Sequence, residues 1–432
     1  MSSEWGKKSI GELITHTKGI AFKSKDYLAS GVPLIRVTNF TDDSISSADL
    51  KFVSQDIAAT NSSVRLKFKD IIVATVGSWP NNPASVVGRT ISVPKWAENS
   101  LMNQNSVILR SQSMVDQRFI YYHLKSADFA NHIISKAQGS ANQASITLDA
   151  IFSYQLNWPN EKLRMFIVEI LTTIDDRIAL LRETNSTLEA IAQALFKSWF
   201  VDFDPVRAKQ DGREPEGMDA DTAALFPDSF EESELGLVPK GWSYRSFQDA
   251  VSIFDSKRIP LSGQVRANRQ GQYPYYGAAA QMDSIDDFLF DGVYFLMGED
   301  GSVIDPDGYP ITQYVYGKFW VNNHAHILQG KNGICTEHVM LFAKRTSVQP
   351  YITGAVQAKL SQSNMWRIPF LMPPKAISEG FGELMEPLFK LFRHNSDKAQ
   401  TLASIRDTLL PRLISGQLRL PEVKVIVTNA NV

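Results

Sequence analysis

With 432 residues, the chain is too long for one compact hydrophobic core, and two or three domains are expected. Its hydrophobic content of 44% and charged content of 21% are those of an ordinary soluble globular protein. A single cysteine, Cys335, excludes a disulfide framework, while the lack of a signal peptide and of any apolar run of about 18 residues predicts a cytoplasmic protein without a membrane span.

The net charge of −2 conceals an uneven distribution of charge along the chain. Residues 1–158 carry 16 basic and 12 acidic side chains, and residues 240–374 carry 12 and 11. Residues 204–239 carry 3 basic and 10 acidic side chains, so the acidity is concentrated in one segment. Neither basic region reaches the charge expected of a DNA-binding domain that acts alone, so a DNA-binding role predicts a partner that supplies further positive charge.

The predicted elements divide the chain into two β-rich parts, each followed by a long helix. Short β-branched and aromatic runs broken by Gly, Asn and Pro, such as "GVPLIRVTNF", predict a mixed globule with some helix over 1–158. Apolar residues then recur at spacings of three and four, which predicts a long helix over 159–206. The acidic, Pro- and Gly-rich stretch 207–238 is interpreted as an irregular connector. The remaining segments are predicted to be a second globule, a second long helix and a tail, over 239–373, 374–420 and 421–432.

The chain contains an internal repeat, because four stretches of its first half align in order with four stretches of its second half. The offsets between aligned residues shrink from 237 through 221 and 219 to 214, as loop deletions in one duplicated unit would produce. The alignment places Gly77 on Gly298 and Gln143 on Gln357. The aligned stretches are "EWGKKSIGELI" (4–14) with "GWSYRSFQDAV" (241–251), "FKDIIVATVGS" (68–78) with "LFDGVYFLMGE" (289–299), "LMNQNSVIL" (101–109) with "WVNNHAHIL" (320–328), and "ANQASITLDAIFSYQLNWP" (141–159) with "AVQAKLSQSNMWRIPFLMP" (355–373).

The two helical patterns predict a fold class and a kind of target. An apolar strip of about 40 residues at a spacing near 3.5 is typical of a coiled-coil helix roughly 60 Å long. We therefore predict an α+β protein with two mixed β-rich globules, each followed by a long helix, and an antiparallel coiled coil of the two helices with a pseudo-twofold internal repeat. Two related globules held at a fixed separation fit DNA, whose successive major grooves lie about 34–36 Å apart on one face.

This arrangement, and the stretch "LFKSWFVDFDPVRAK" (195–209) in particular, resembles the specificity subunit of type I restriction–modification systems. The stretches "GVPLIRVTNF", "YPYYGAAA", "WVNNHAHIL" and "VPKGW" support the resemblance, which covers almost the whole chain. It implies that 1–158 and 239–373 are target recognition domains. Each would read one half of a bipartite, asymmetric site in double-stranded DNA, and the paired helices would act as spacer and dock.

The resemblance also implies that the chemistry resides on partner subunits. Two modification subunits that use S-adenosylmethionine would methylate adenine, and restriction subunits that use ATP and Mg would cleave. The expected chain is non-catalytic and carries no cofactor or metal of its own. In agreement, the sequence contains no G-x-x-x-x-G-K-[ST] phosphate loop, no Asn/Asp-Pro-Pro-aromatic methyltransferase motif and no Cys-x-x-Cys pair.

The carboxylates of "SWFVDFDPV" have three possible interpretations: a structural corner, a docking site for a partner, or a catalytic pair. They follow a helix C-terminus, where negative charge is unfavourable, so a nearby base or a partner is expected to compensate. The C-terminal counterpart "LLPRLISGQLRL" has no acid pair, which excludes a duplicated catalytic role. The candidate docking residues are Trp199, Phe200, Asp202, Phe203 and Asp204.

The stretch "NNHAHIL" places His324 and His326 on one face of a predicted strand. Three roles are open for them: metal ligands together with Cys335, hydrogen-bonded structural histidines, or contacts to DNA. The first repeat carries Asn105 and Val107 at the matching positions, which disfavours a metal site.

Polar residues on tight loops at strand ends are the remaining candidates for contact with DNA. For each of them a solvated turn is the competing interpretation. The candidates in the first globule are Arg36, Asn39, Ser78, Asn81, Asn82, Asn103, Gln104, Asn142 and Gln143. Those in the second are Tyr276, Glu299, Asp300, Ser302, Asn322, Asn323, His324, His326 and Gln357.

Two other functions are compatible with the sequence. One is a metal-dependent nucleic-acid hydrolase that uses the histidine loop and the acid pair. The other is a coiled-coil scaffold that binds proteins and no DNA.

Overall fold

The computed structural model describes residues 5–79, 87–140, 143–354 and 357–418. The chain forms two compact units, of which the first contains Met1–Leu180 and Ala399–Val432 and the second contains Leu181–Lys398. Among the described residues, no helix combines the length and the apolar character that crossing a membrane requires.

The first unit combines short strands with helices, as the mixed β-rich pattern predicts. Its strands are β1 (Gly6–Ser9), β2 (Ile14–Lys18), β3 (Val32–Ile35), β4 (Lys51–Val53), β5 (Ile71–Ala74), β6 (Val76–Gly77), β7 (Thr90–Ser92), β8 (Leu101–Met102), β9 (Ser106–Ser111), β10 (Gln138–Ser140), β11 (Gln143–Ser145) and β12 (Gln155–Trp158). Its helices are α1 (Ile10–Leu13), α2 (Gln55–Thr60), α3 (Met114–Leu124), α4 (Ala127–Lys136), α5 (Leu148–Phe152), the beginning of α6 (Glu161–Lys197) and residues 399–414 of the second long helix.

The strands of the first unit pair into four small sheets, with the orders β2-β9-β5-β7, β4-β3-β8, β10-β11-β6 and β1-β12. The strand β5 is buried along its whole length, and so are the first four residues of β9. Continuous burial fits their apolar sequences, "IIVA" and "SVIL", because both faces of these central strands are covered. The core formed around β3, β5 and β9 supports the strand ends that carry the polar loops.

The second unit has a larger sheet, with the strand order β16-β21-β19-β20-β17-β18, and two strand pairs, β13-β14 and β15-β22. Its strands are β13 (Phe230–Ser233), β14 (Gly236–Pro239), β15 (Ser243–Ser246), β16 (Val251–Ile253), β17 (Gln270–Tyr276), β18 (Gln281–Ile285), β19 (Phe290–Gly298), β20 (Thr312–Val321), β21 (Ala325–Gly330) and β22 (Pro369–Met372). Its helices are the end of α6, α7 (Asp204–Gln210), α8 (Ala220–Leu225), α9 (Gly263–Ala267), α10 (Thr336–Ala343), α11 (Gln362–Met365) and most of α12 (Lys375–Ile414).

The long helices α6 and α12 run antiparallel within each unit. In the first unit, Arg406 of α12 forms an ion pair of 3.1 Å with Asp175 of α6. In the second unit, Asn395 of α12 donates a hydrogen bond of 3.0 Å to the side chain of Asn185, while Phe381 contacts Phe196 further along. The predicted α+β class, with a long helix after each β-rich part, is confirmed.

The registers of the outer strands support the internal repeat. In the first unit Ile14 of β2 lies opposite Ser111 of β9, and in the second Val251 of β16 lies opposite Gly330 of β21. These pairs differ by 237 and 219 residues, which are the offsets found from the sequence.

The central strand requires a different offset. Ala74 lies opposite Ser106 in the first unit, and Gly298 lies opposite Ala325 in the second, so Ala74 and Gly298 are equivalent at an offset of 224. The sequence alignment, which placed Gly77 on Gly298, is therefore wrong by three residues in this strand. It matched identical residue types, whereas the equivalence is set by the backbone hydrogen bonds of the sheet.

The corner between α6 and α7 departs from the predicted helix over 159–206. The helix α6 ends at Lys197, a π-helical turn spans Ser198–Asp202, and Phe203 adopts a left-handed conformation with φ of 56° before α7 begins. The interpretation of 207–238 as an irregular connector is also wrong in part, because the segment contains the end of α7, the helix α8 and the β13-β14 hairpin.

Candidate nucleic-acid interface

Three loops of the second unit lie side by side at strand ends, and we call residues 298–302, 322–324 and 357–360 the second-unit loop cluster. The backbone N–H of Glu299 donates to the carbonyl of His324 at 2.8 Å, and the N–H of Leu360 donates to the carbonyl of Glu299 at 2.8 Å. The N–H of Gly301 donates to Ala358 at 3.0 Å. Backbone hydrogen bonds therefore bring together loops that are distant in the sequence.

The exposed side chains of this cluster are the ones suited to direct contact with a base. Ser302, Asn323 and Gln357 are exposed. The His324 ring is 45% exposed, and its Nδ1 faces the Asp300 carboxylate. The Nε2 atom is then the ring nitrogen that can face a ligand. Direct contact with DNA stays a prediction for these residues.

Other candidates from the sequence are held by hydrogen bonds within the unit. Asn322 is buried, and its Oδ1 accepts from the backbone N–H of His324 at 2.8 Å. Tyr276 is half-buried, which raises the pKa of its hydroxyl, and its carbonyl accepts from the N–H of Asn322 at 3.0 Å. These residues support the loop that carries Asn323 and His324.

A largely buried ion network lies behind the loops. The Arg258 guanidinium donates to Glu299 Oε2 at 2.6 Å and to the carbonyl of Ala325 at 2.8 Å. His326 is 1% exposed, with Nδ1 at 2.6 Å from Asp255 Oδ2 and Nε2 at 2.8 Å from the carbonyl of Leu360. His326 is thus a structural histidine in this arrangement, and the Glu299 carboxylate is occupied by a neighbouring cation.

The same network is a poor fit for a metal ion. The side chains of Asp255, Glu299 and His326 place ligand atoms within 4.8 Å of one another. However, the Arg258 guanidinium already provides the positive charge for both carboxylates, and each ring nitrogen of His326 faces an oxygen acceptor. The arrangement therefore favours an internal ion network over metal coordination.

Cys335 does not complete a metal site either. Burial raises the pKa of its thiol to about 12, so it resists the deprotonation that metal binding requires. Its Sγ accepts from the backbone N–H of His338 at 3.3 Å and caps the N-terminus of α10.

The first unit has an equivalent set of loops, residues 75–79, 103–105 and 143–147, which we call the first-unit loop cluster. The N–H of Thr75 donates to the carbonyl of Asn105 at 2.8 Å, and the N–H of Ile146 donates to the carbonyl of Thr75 at 2.9 Å. At the corrected offset these are the bonds that Glu299 makes to His324 and receives from Leu360. Backbone pairing thus repeats, although the side chains differ.

Candidate residues of the first unit fall into three groups. Gln104 and Gln143 are exposed on the loop cluster, and Ser78, in another loop of the same cluster, is half-buried. Asn103 is buried, with its Oδ1 accepting from the N–H of Gln104 at 2.7 Å. The candidates Asn81, Asn82 and Asn142 lie outside the described residues.

Arg36 and Asn39 brace a turn. The Arg36 guanidinium donates to Asp49 Oδ2 at 3.0 Å, and Asn39 Oδ1 accepts from the backbone N–H of Arg36 at 3.0 Å. Asn39 is buried, and its Nδ2 donates to the carbonyl of Ala48 at 3.1 Å. Both polar groups are therefore engaged within the unit.

A cavity of about 450 Å³ opens beside the first-unit loop cluster. Its lining residues are Lys18, Gly19, Thr75, Asn105, Ser106, Ile146, Thr147, Leu148 and Asp149. Lys18 corresponds to Asp255, and Thr75 corresponds to Glu299, so the cavity occupies the position where the second unit has its ion network. The lining offers a lysine amine, a hydroxyl and an amide to a ligand.

The corner of the second unit carries the docking candidates. Trp199, Phe200 and Phe203 are buried in an aromatic cluster, in which Phe200 lies 4.9 Å from Phe381. They therefore form a structural core. A groove of about 740 Å³ beside them exposes polar groups of Asp204, Arg207 and Arg213 together with the apolar side chain of Leu384.

The two carboxylates of the corner have separate electrostatic roles. Asp202 forms an ion pair with Lys197. Asp204 lies in the first turn of α7, where a negative charge is favourable, and Pro205 follows it in that turn. The prediction that both carboxylates lie unfavourably at a helix C-terminus is thus wrong for Asp204, because a new helix begins at this residue.

Residues that the sequence did not single out are Asp255, Arg258 and Lys359. Lys359 Nζ lies 3.5 Å from Glu299 Oε1, and Arg258 joins segments 41 and 67 residues away. A signal was present in the repeat. Glu299 and His326, which can carry charge, stand in the second half where the first half has Thr75 and Val107.

Comparisons with known proteins find a matching family model and similar relatives. The family model for the type I restriction modification DNA specificity domain matches residues 2–190 and 239–403. The HindI type I restriction enzyme specificity subunit of Haemophilus influenzae is 26% identical over 395 residues, which cover 77% of this chain and 84% of that protein. The MjaIX specificity subunit of Methanocaldococcus jannaschii is 22% identical over 326 residues, covering 72% and 71%.

The crystal structure of the type I restriction–modification S subunit from M. genitalium has a similar fold, with a TM-score of 0.51 at 16% identity. The similarity covers 95% of this chain and 96% of that chain.

Proposed function

We propose that this chain, which belongs to the type I restriction–modification DNA specificity family, recognises a bipartite double-stranded DNA target and contacts one half with each loop cluster. The observation that carries the proposal is the repeated backbone framework of the two loop clusters, on which the exposed side chains differ. Equivalent frameworks with different side chains suit two related reading sites for two different half-sites.

The exposed side chains of each cluster have the chemistry that base reading requires. The amides of Gln104 and Gln143 in the first unit, and of Asn323 and Gln357 in the second, can bond two edge atoms of an adenine. The Nε2 atom of His324 can bond one edge atom. Lys18 and Lys359 have the charge to position phosphates, which carry no sequence information.

We propose that catalysis and cofactors reside on partners. Two modification subunits with S-adenosylmethionine would methylate adenine, and restriction subunits with ATP and Mg would cleave the DNA. The groove lined by Leu384, Asp204 and Arg207 is proposed as a docking site for a modification subunit, because it combines an exposed apolar side chain with charges of both signs.

The long helices are proposed to set the number of base pairs between the two half-sites. Insertion of four residues into both α6 and α12 adds about 6 Å to each helix, which is close to two base pairs of DNA. Mapping of methylated adenines in cells that carry the variant is expected to give a lengthened spacer with unchanged half-sites. An unchanged spacer would contradict a role of the helices in spacing.

Half-scrambled duplexes test the DNA-reading function. The target is first taken from the methylated adenines of the host genome. Mobility shifts of the full chain with its modification subunits, at one fixed salt concentration, then compare the target with duplexes in which one half or both are scrambled. Each half is expected to contribute separately, so that the fully scrambled duplex binds roughly 10³-fold or more weakly than the target.

Equal affinity for all these duplexes would overturn the proposal and favour a scaffold that does not read DNA. The modification subunits without this chain are the control, and they are expected to show no preference among the duplexes.

A further inference from the structure

The Arg258 side chain links the loops of the second-unit loop cluster from behind. Its Nη1 donates to Glu299 Oε2 at 2.6 Å and to the carbonyl of Ala325 at 2.8 Å, while its Nε donates to the carbonyl of Asp255 at 3.0 Å. The side chain is 14% exposed. A planar guanidinium can satisfy these acceptors at once because its donors point in fixed directions, and shielding from water strengthens each bond.

Asp255 and His326 extend this link to the loop of residues 357–360. Asp255 Oδ1 accepts from the backbone N–H of Ile327 at 2.9 Å, and Asp255 Oδ2 lies 2.6 Å from Nδ1 of His326. The other ring nitrogen of His326 reaches the carbonyl of Leu360 at 2.8 Å. The network therefore fixes segments from four parts of the second unit.

Each exposed candidate of the cluster lies within three residues of an atom held by this network. Ser302 lies three residues after Glu299, Asn323 lies two residues before Ala325, and Gln357 lies three residues before Leu360. A side chain can discriminate between bases only if its backbone is held within a fraction of an ångström, so these anchors control the precision of the reading loops.

The first unit holds its equivalent loops in another way. The positions of Asp255, Glu299 and His326 are occupied there by Lys18, Thr75 and Val107, which cannot form the same network. Backbone hydrogen bonds hold these loops, and the cavity of about 450 Å³ takes the place of the ion network.

We propose that Arg258 is a positioning residue that sets base discrimination at the half-site read by the second unit, and at that half-site alone. This inference rests on the proposed DNA-reading function. Arg258 itself does not contact a base in this role, because its donors face Glu299, Ala325 and Asp255.

The test measures methylation rates of the full chain with its modification subunits on the mapped target and on duplexes with one base pair changed in either half. The half read by the second unit is assigned beforehand with Gln357→Ala. The wild type is expected to discriminate against each mismatch by about 5- to 150-fold. In Arg258→Gln, discrimination is expected to fall to about threefold or less in the second-unit half and to stay unchanged in the first-unit half.

Two further variants separate positioning from a general loss of structure. Arg258→Lys keeps the positive charge beside Glu299 and Asp255 but loses the planar guanidinium with its fixed donors. Intermediate discrimination is therefore expected at the second-unit half. This variant keeps the test valid if Arg258→Gln fails to fold. Arg266→Gln is the matched control, because Arg266 also pairs with a carboxylate of the second unit, Asp283, at 3.2 Å, outside the loop cluster. It is expected to keep discrimination in both halves.

Unchanged discrimination in Arg258→Lys, or an equal loss in both halves, would overturn the positioning role. A wild-type protein that discriminates in neither half would refute the DNA-reading function instead, and that failure is visible before any variant is measured.

Discussion

The two loop clusters share a backbone framework and differ in what lies behind it. In the first unit, the loops around Thr75 and Asn105 border an open cavity that contains Lys18. In the second, the loops around Glu299 and His324 rest on a largely buried ion network. The difference shows how a duplicated scaffold can keep the same strand ends in place while the side chains that face a ligand, and those that stiffen the loops, diverge independently.

The hydrophobic cores at the ends of the long helices offer the largest contrast between the units. Trp199, buried at the corner of the second unit, corresponds at the offset of 214 to Leu413, buried in the first. Trp199→Ala is expected to lower the free energy of unfolding by about 3–5 kcal/mol, because it opens a large cavity in the aromatic cluster. Leu413→Ala, its matched counterpart, should cost about 2–4 kcal/mol.

Denaturant titration followed by tryptophan fluorescence and circular dichroism measures both variants, with each transition fitted separately. A loss below about 1 kcal/mol in Trp199→Ala would contradict the structural role of the corner.

In each unit, a buried histidine with a lowered pKa links stability to pH. Burial lowers the pKa of His123 to about 3 and that of His338 to about 3, from an ordinary value of 6.5. Between pH 6.5 and 3 the unfolded chain therefore binds more protons than the folded one. The stability contributed by keeping each histidine neutral is fully present above pH 6.5 and is lost as the pH falls. Between pH 7 and pH 5, each histidine is expected to lower the free energy of unfolding by about 2 kcal/mol.

His123→Phe and His338→Phe assign that pH dependence to individual units in thermal melts at several pH values. Each variant is expected to lose its share of the dependence in its own unit. A dependence that survives in the double variant would show that other groups are responsible.

A polar pair distinguishes the helix contacts of the second unit. Asn185 donates to Ser396 Oγ at 2.9 Å and accepts from Asn395 at 3.0 Å, and both asparagines are buried. Asn395→Leu leaves the Asn185 oxygen without this donor and is expected to cost about 1–3 kcal/mol. At the offset of 214, the counterparts of Asn185 and Asn395 are Ala399 and Leu181, which are buried and apolar.

The double variant Asn185→Leu/Asn395→Leu sharpens this comparison. It is expected to recover stability relative to Asn395→Leu, since no buried amide is left unpaired, when both are measured by denaturant titration. A double variant less stable than Asn395→Leu would contradict the pairing.

The smallest expected effect concerns the lysines of the two clusters. Lys18 lies on the open cavity, whereas Lys359 is already 3.5 Å from Glu299. Lys18→Gln is expected to reduce the slope of log affinity against log salt concentration by about 0.9, because one phosphate contact is lost. Lys359→Gln is expected to change this slope less. Equal changes in both slopes, measured by fluorescence anisotropy, would remove this difference between the clusters.

The sequence predicted the elements whose signal is periodic and local. Apolar spacing located the long helices, and four aligned stretches located the repeat. The left-handed Phe203 was missed because a positive φ is rare outside glycine and has no local pattern. The start of α7 at Asp204 was missed for the same reason.

The candidate site was predicted only as far as its exposed loops. The partners of Arg258 lie 41 and 67 residues away, so their proximity is a product of the sheet and not of spacing. The register error at Gly77 arose similarly, because strand pairing depends on backbone hydrogen bonds that residue identity does not encode.

Base-by-base discrimination in Gln143→Ala and Gln357→Ala, each in the full chain with its modification subunits, tests most directly the claim that the two loop clusters read separate halves. Gln143→Ala is expected to relax discrimination, by about 1–3 kcal/mol at one or two base pairs, in one half of the target, and Gln357→Ala in the other half. If both variants changed the same half, or weakened binding uniformly on every sequence, the division of reading between the two units would be contradicted.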